Sequence, residues 1–404
     1  MSGLGTARRR TRAAAMGILA AVAVVATCAP PPAPAPLSPP GSDLGFDPAR
    51  LDSVTAYLRR EVESATFPGA VIAVGRHGRL ALLAGVGRFG LDDPRPVDAA
   101  TMYDLASLTK VVGLTTAIAL LVQQGKLELD APASRYVPAF VGPGKNRVTL
   151  RLLLTHSSGL PAWRPLYVET TTRASAMALV DTTPLVSEPG RVTVYSDLGA
   201  IVLTQAVEAV TGERIDTFLD HRLFAPLGMR STRYLPPYDW RDRVAPTERS
   251  ADGTIIRGTV HDENAWRLGG VSGHAGLFST AGDLAIFAAW LLDQWAGRPV
   301  PDDSIPTLPP DLVRAWTRRQ DPAHGSSRAL GWDTPTDGSS SGTKLSPSAF
   351  GHTGFTGTSI WLDPEKDLFI ILLTNRVHPS RENSQIMRVR PRVANLVVDA
   401  LVRP

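Results

Sequence analysis

The sequence predicts an α+β fold: one antiparallel β-sheet flanked by N- and C-terminal helices, with a mainly helical lobe inserted between its strands. Two β-hairpins support this prediction, over residues 70–84 and 359–374, because each joins two apolar runs through a short polar turn. Helical patterns lie outside both hairpins, from Asp47 onward and over residues 392–401. The residues between the hairpins are mostly helical and loop-rich, so the sheet must assemble from distant parts of the chain.

The first helix is predicted to begin at Asp47-Pro48, where an N-cap residue precedes a proline in the first turn. Its apolar positions recur every three or four residues, at Leu51, Val54, Leu58 and Val62. The segment Phe67-Pro68-Gly69 ends it. Further helices are predicted within the inserted lobe at residues 111–122, 201–210 and 283–292.

The tetrad Ser107-Leu108-Thr109-Lys110 places a hydroxyl and an amine three residues apart, where a loop leads into an apolar helix. Side chains three apart on a helix share a face, with Cβ atoms about 5–6 Å apart, so Lys110 can reach the Ser107 hydroxyl. A base that removes the serine proton creates a nucleophile, and the N–H groups at the helix start stabilise the anion formed on attack. Lys110 is one of only five lysines in an arginine-rich chain, which favours a chemical role for it.

Residues 337–344 contain two motifs that imitate nucleophile sites. Ser341-Gly342-Thr343-Lys344 repeats the same spacing, and Gly338-x-Ser340-x-Gly342 imitates a nucleophile elbow. Both lie in a Gly/Ser-rich stretch with no helix or strand to hold the hydroxyl, so the sequence predicts a flexible surface loop without catalytic function.

Residues 45–404 resemble the serine β-lactamase and penicillin-binding protein superfamily, in its class C-like branch of peptidases, esterases and lactamases. Three motifs carry the resemblance: Ser107-x-x-Lys110, Tyr195-Ser196-Asp197 in place of the family's Tyr-x-Asn, and His352-Thr353-Gly354 in place of Lys-Thr-Gly.

The resemblance implies that Ser107 is acylated, that Lys110 and Tyr195 move protons, and that no cofactor or metal is needed. It also implies an oxyanion hole made by the N–H groups of Ser107 and Phe355. The substrate-binding residues implied are Asp197, His352, Thr353 and Gly354.

Two departures from the family pattern have chemical consequences. Asp197 replaces the commoner Asn, and a carboxylate near Lys110 raises the pKa of the lysine, which makes Tyr195 the principal proton acceptor. His352 replaces a lysine, and a histidine is mostly neutral at pH 7, so recognition of an anionic β-lactam is expected to be weak. If His352 must be protonated to bind a carboxylate, the specificity constant for acidic substrates falls as the pH rises past its pKa.

Three other histidines have non-catalytic interpretations. His156, at the helix-to-loop boundary 152–161, is predicted to be a structural hydrogen-bonding residue. A metal site made of His261, Asp262 and His274 is disfavoured, because their spacing fits no compact zinc pattern and no cysteine assists.

Length and composition allow one large domain or two smaller ones, and the lack of an internal repeat or linker favours one unit with two lobes; the charge argues against nucleic-acid binding. The 404 residues are 43% hydrophobic and 20% charged, enough to bury a large core. Residues 1–27 contain four arginines and no acid, so the formal charge of +4 leaves the remainder with a net charge of zero. No basic surface for nucleic acid is expected.

The first 45 residues are predicted to export the protein and anchor it to a membrane. Residues 1–27 have a basic start and an apolar run too short to span a bilayer, as in a signal peptide. Cys28, the only cysteine, lies in a segment that resembles a bacterial lipobox, although Thr27 replaces the usual Gly, Ala or Ser. Residues 28–45 would then be a lipid-bearing, proline-rich tether, and residues 46–404 the catalytic domain. Ordinary signal cleavage with Cys28 unused is the alternative.

The predicted function is that of a serine hydrolase of the cell envelope, most simply one that acts through an acyl-enzyme on D-alanyl peptides or related amides. A carboxyl-ester hydrolase or weak β-lactamase is the enzymatic alternative. An inactive envelope binding protein is the alternative of another class, and the intact Ser107, Lys110 and Tyr195 argue against it.

Overall fold

The computed structural model describes residues 1–3 and 44–402 and confirms the predicted α+β fold. Cys28, the proline-rich tether and all but the first three residues of the expected signal peptide lie outside the described residues. No helix of the described residues combines the length and apolarity that crossing a membrane requires.

Two antiparallel sheets organise the domain. The strands are β1 Gly69–Arg76, β2 Arg79–Gly87, β3 Tyr103–Asp104, β4 Arg233–Tyr234, β5 Leu277–Ser279, β6 Phe350–Thr353, β7 Ser359–Asp363 and β8 Leu368–Thr374. The main sheet has the order β2-β1-β8-β7-β6, and the small sheet has the order β3-β5-β4. Both predicted hairpins are therefore present. Strand β1 pairs with β8, although the whole inserted lobe separates them in the chain, and the pairing runs from Ala70 opposite Thr374 to Arg76 opposite Leu368.

Most of the helices lie between β2 and β6 in the chain. Two helices lie outside that segment: α1 Pro48–Glu63 before β1 and α12 Ile386–Asp399 after β8. The α-helices between β2 and β6 are α2 Thr116–Gln123, α3 Leu150–Leu154, α4 Leu166–Glu169, α5 Arg173–Thr182, α6 Asp197–Thr211, α7 Ile215–Leu219, α8 Ala225–Leu227, α9 Glu263–Arg267, α10 Ala281–Ala296 and α11 Pro310–Thr317. The Asp47 carboxylate caps α1 as predicted, accepting a hydrogen bond from the Arg50 N–H group.

The main sheet separates two apolar layers, because successive side chains of a strand point to opposite faces. Ala70, Ile72 and Val74 of β1 pack with α1 and α12 in one cluster. Val71 and Ala73 join the larger core, which also contains much of the helical lobe. Helix α10 packs on that second face against β1 and β8.

Two helices differ from their predicted forms. The apolar segment after the Ser-x-x-Lys tetrad begins as a π-helical stretch, Lys110–Thr115, before α2, and the Thr116 hydroxyl bonds the carbonyl five residues earlier. Helix α12 begins at Ile386, six residues before the predicted start, and contains Pro391. Proline disfavours a helix interior, but Ile386 and Val389 are buried, and that burial offsets the lost hydrogen bond.

Candidate active site

Ser107 and Lys110 form the predicted dyad at the junction of β3 and the π-helical stretch. The Lys110 Nζ donates a hydrogen bond of 3.1 Å to the Ser107 Oγ. Ala106, the residue before the serine, has a φ of 46°, a left-handed conformation that is uncommon for a residue with a side chain. Ser107 lines the cleft, whereas the Lys110 side chain is buried.

Lys110 is 3% exposed, and three acceptors surround its ammonium group. Besides the Ser107 Oγ, these are the His274 carbonyl oxygen at 3.0 Å and the Asp197 Oδ1 at 2.7 Å. Burial acts to lower the pKa of Lys110, but the charge of Asp197, followed by that of Tyr195, raises it above the ordinary value. The lysine is therefore an ammonium ion at neutral pH, in agreement with the effect predicted for a carboxylate at position 197.

Tyr195 lies in the loop before α6, and two cations lie close to its ring. The Lys110 Nζ is 4.9 Å and the Arg328 guanidinium carbon 5.0 Å from the ring centroid. The Tyr195 hydroxyl is buried and has no hydrogen bond of suitable geometry within the described residues. That leaves its oxygen available for a proton transfer with a bound substrate.

His156 holds this loop, as the sequence predicts for a structural residue. Its ring packs on the Tyr195 ring at a centroid distance of 4.5 Å. Its Nδ1 accepts a hydrogen bond from the Ser196 N–H group. Burial, followed by the charge of Arg328, keeps the pKa of His156 well below its ordinary value, so the ring is a neutral acceptor.

His352 and Thr353 lie on the edge strand β6, and both line the cleft with Gly354. The His352 Nδ1 lies 2.8 Å from the Thr353 carbonyl oxygen. Because a carbonyl can only accept, the Nδ1 carries the proton, and the neutral ring then presents a lone pair at Nε2. That Nε2 is buried without a partner within the described residues.

The neutral state of His352 has an electrostatic cause. Burial, followed by the charges of Arg328 and Lys110, lowers the pKa of His352 well below its ordinary value. A protonated His352 is therefore disfavoured near neutral pH. Binding of a substrate carboxylate by this residue, which would require the protonated form, is not supported. The ring accepts hydrogen bonds instead.

The N–H groups of Ser107 and Phe355, the predicted oxyanion donors, are not used elsewhere in the described residues. Within the described residues, neither group donates a hydrogen bond. The Phe355 side chain is 49% exposed at the edge of the cleft, with the Arg376 guanidinium 4.4 Å from its ring centroid.

Three arginines in the cleft were not predicted from the sequence. The cleft has a volume of about 400 Å³, and its lining includes Arg328, Arg376 and Arg390 but only one acidic residue, Asp333. None of the three arginines forms an ion pair with an acid of the described residues. Burial, followed by the charge of Arg376, lowers the pKa of Arg390 to about 9. The cleft therefore has an excess of positive charge.

The second Ser-x-x-Lys sequence forms no dyad. Lys344 pairs with Asp399 on the surface, and the Ser341 hydroxyl bonds a neighbouring carbonyl. The expectation of a flexible surface loop was wrong for Ser341 itself, which is fully buried. The Asn395 side chain accepts a hydrogen bond from the Thr343 N–H group and fixes the segment on α12.

The three residues weighed as metal ligands do not form one cluster. His261 pairs with Glu248 at 3.0 Å, whereas His274 pairs with Asp262 at 3.0 Å and with the Ser272 hydroxyl at 2.7 Å. Residues 44–402 contain no group of three or more His, Cys, Asp or Glu arranged to hold a metal ion. The contacts of His274 instead fix the carbonyl that binds Lys110.

A family model described as Beta-lactamase matches residues 54–393. The chain belongs to the beta-lactamase family. This confirms the resemblance drawn from the three motifs, and it makes the protein a member of a family of hydrolases in which acyl-enzyme chemistry is general.

Individual relatives are moderately similar. The N-acetylmuramyl-L-alanine amidase of Bacillus subtilis (strain 168) is 34% identical over 373 residues, which cover 82% of this chain and 82% of that protein. The "Putative D-alanyl-D-alanine carboxypeptidase" of Escherichia coli (strain K12) is 30% identical over 379 residues, which cover 83% of this chain and 84% of that protein. A solved penicillin-binding protein homologue from Caulobacter crescentus shares the fold, with a TM-score of 0.71 at 20% identity over 88% of this chain and 99% of that one.

The charge of Asp197 should control the protonation of Lys110. We expect Asp197→Asn to lower the pKa of Lys110, because the burial that opposes the charged amine would remain while its ion-pair partner is removed. The measurement is a pH titration of the protein labelled with ¹³C at the lysine ε-carbons, a simple spectrum because the chain has five lysines.

The matched control is Asp399→Asn, which removes the partner of the half-exposed Lys344. This ion pair lies on the surface, away from the dyad, so Asp399→Asn should leave the Lys110 signal unchanged. An unchanged Lys110 titration in Asp197→Asn would contradict the assignment.

Proposed function

We propose that the protein is an exported serine hydrolase that acts through an acyl-enzyme on D-alanyl peptides or related amides of the cell envelope. The observation that carries this proposal is the position of Arg328, a cation without an acidic partner in the described residues, over the ring of Tyr195. It supports a substrate whose leaving group carries a carboxylate.

Acylation begins with Ser107 as the nucleophile. Lys110 is an ammonium ion that already donates to the Ser107 Oγ, so the serine proton must go to another group. The Tyr195 hydroxyl, which has no hydrogen-bond partner within the described residues, relays it: its oxygen accepts the serine proton, and its own hydroxyl proton goes to the leaving nitrogen. The Ser107 Oγ then bonds to the substrate carbonyl carbon, and the N–H groups of Ser107 and Phe355 stabilise the resulting oxyanion.

The two later steps use the same groups. Tyr195 passes its proton to the leaving nitrogen as the carbon–nitrogen bond breaks, which releases an amine and leaves the acyl group on Ser107. Water then attacks the acyl carbon while its proton passes to Tyr195. The carbon–Oγ bond breaks, and Ser107 regains its proton from Tyr195.

The leaving-group carboxylate fits the position of Arg328. In a C-terminal amino acid the carboxylate carbon is two bonds from the nitrogen that Tyr195 protonates. A guanidinium over the Tyr195 ring is therefore on the side of the cleft where that carboxylate lies, and its planar N–H fork suits carboxylate oxygens. The neutral His352 Nε2, an acceptor, would orient a substrate N–H group rather than the anion.

The acyl-enzyme chemistry can be tested directly with three variants. Ser107→Ala should lose essentially all turnover and all labelling by a fluorophosphonate, because the nucleophile is gone. Tyr195→Phe should fold normally but fail to acylate, since no other group accepts the proton. Ser341→Ala is the matched control and should behave like the parent. Comparable peptide hydrolysis by Ser107→Ala would refute the proposed function.

Recognition of the carboxylate should depend on Arg328. Because a charged hydrogen bond contributes roughly 1.5–3 kcal/mol, Arg328→Gln should lower kcat/KM about 10- to 100-fold for an acylated peptide that ends in D-Ala-D-Ala. The same peptide with a C-terminal carboxamide should be affected much less. Arg230→Gln, which alters an exposed arginine, serves as the control. An equal loss for both peptides would sink this assignment, and an ester hydrolysed faster than either peptide by all variants would favour the carboxyl-ester hydrolase.

Membrane attachment is proposed to occur through a lipid on Cys28. The support is the basic and apolar N-terminal segment that ends at this single cysteine, followed by a proline-rich spacer. Cys28→Ser should move the protein from the membrane fraction to the soluble fraction and abolish its labelling by a fatty acid. Ser107→Ala is a suitable control because its location should be unchanged. Equal membrane association of Cys28→Ser and the parent would exclude the anchor.

A further inference from the structure

The two backbone segments that carry the proposed oxyanion donors are joined by threonine hydroxyls. The Thr356 Oγ1 donates to the Asp104 carbonyl oxygen at 2.7 Å, and the Thr358 Oγ1 donates to the Leu105 carbonyl oxygen at 3.0 Å. Thr356 is 1% exposed and Thr358 is fully buried. Both bonds cross from the turn between β6 and β7 to the segment that leads into Ser107.

The segment before Ser107 is held in an uncommon conformation by a buried carboxylate. The Asp104 Oδ1 accepts a hydrogen bond from the Ala106 N–H group at 2.8 Å, and its Oδ2 accepts one from the His261 N–H group at 2.7 Å. Ala106 has the left-handed φ of 46° that sets the direction of the next N–H group, that of Ser107. The position of this donor therefore depends on where Asp104 and Leu105 lie.

The turn that carries the Phe355 N–H group is built as tightly. The Gly354 N–H group donates to the Thr358 carbonyl oxygen at 2.7 Å, and Arg390 donates to the carbonyl oxygens of both residues. A Cβ atom on Gly354 would lie 2.4 Å from the Leu105 carbonyl oxygen and 2.1 Å from the Thr358 Oγ1. Only glycine lets the two segments approach this closely.

We infer that Thr358 and Thr356 are positioning residues that fix the separation of the Ser107 and Phe355 N–H groups. This inference rests on the proposed function, because it assumes that these two groups bind the oxyanion. Donors must lie about 2.7–3.1 Å from the position the oxyanion takes. Each threonine hydroxyl bonds a carbonyl one or two residues before the bend at Ala106, so losing it frees the two donors to move relative to one another. The effect falls on the transition state and leaves substrate binding nearly unchanged.

The test replaces each threonine by valine, which keeps the shape and removes the hydroxyl, and by serine, which keeps the hydroxyl. Since a displacement of about 1 Å costs roughly 100-fold in rate, Thr358→Val should lower kcat about 10- to 100-fold with little change in KM. The affinity for a peptide boronic acid, which mimics the tetrahedral intermediate, should fall by a similar factor. Thr358→Ser should regain most of the activity, and the Thr356 variants should follow the same pattern.

Thr317→Val is the matched control, because the buried Thr317 hydroxyl also bonds a backbone carbonyl, that of Val313, within α11. It should fold less stably without a change in kcat. If Thr358→Val does not fold, Thr356→Val and the two serine variants decide. The inference is overturned if the folded valine variants keep the parent kcat, if only KM rises, or if serine fails to rescue. Failure of the proposed function is separate: it would appear as an unlabelled Ser107 in the parent protein.

Discussion

The buried ammonium group of Lys110 is the constraint on which the site depends. A charge removed from water is costly unless it is paired and hydrogen-bonded, and here the acceptors come from three separate segments: the serine, the first residue of α6 and the loop before β5. The lysine therefore holds these segments together. Its remaining positive charge also argues against Lys110 as the base, which is why the proposed mechanism gives proton transfer to Tyr195.

Local sequence patterns predicted the parts of the structure that local forces determine. Apolar alternation defined both hairpins, and the three-residue spacing of Ser107 and Lys110 predicted a contact that the helix geometry produces. The start of α12 was predicted six residues too late, because the burial of Ile386 and Val389 extends the helix past Pro391 in the folded protein. That burial depends on the sheet, which no local pattern describes.

The arginines of the cleft could not be predicted for a related reason. Arginines occur throughout the chain, and many of them form an ion pair with an acidic residue, as Arg173 does with Glu208. What distinguishes Arg328 and Arg390 is that no acid of the described residues pairs with them and that they flank His352, which is visible only after folding. Considered alone, a histidine in place of the family's lysine indicated weak recognition of anions. The surrounding arginines supply the positive charge that the strand lacks.

Asp197 explains how two kinds of positive charge can function within one cleft. Its carboxylate lies 2.7 Å from the Lys110 ammonium group and balances the positive charge of that group within the protein. No acid of the residues that the structure describes pairs with Arg328, so under the proposed function its positive charge is available to the substrate. With an asparagine at position 197, an ammonium group at Lys110 would add to the positive charge of the cleft, and a neutral Lys110 could act as the base. The protonation of one lysine would then affect both the choice of base and the binding of an anion. In the proposed mechanism the carboxylate keeps the two roles independent, because Tyr195 moves the proton while Arg328 binds the leaving group.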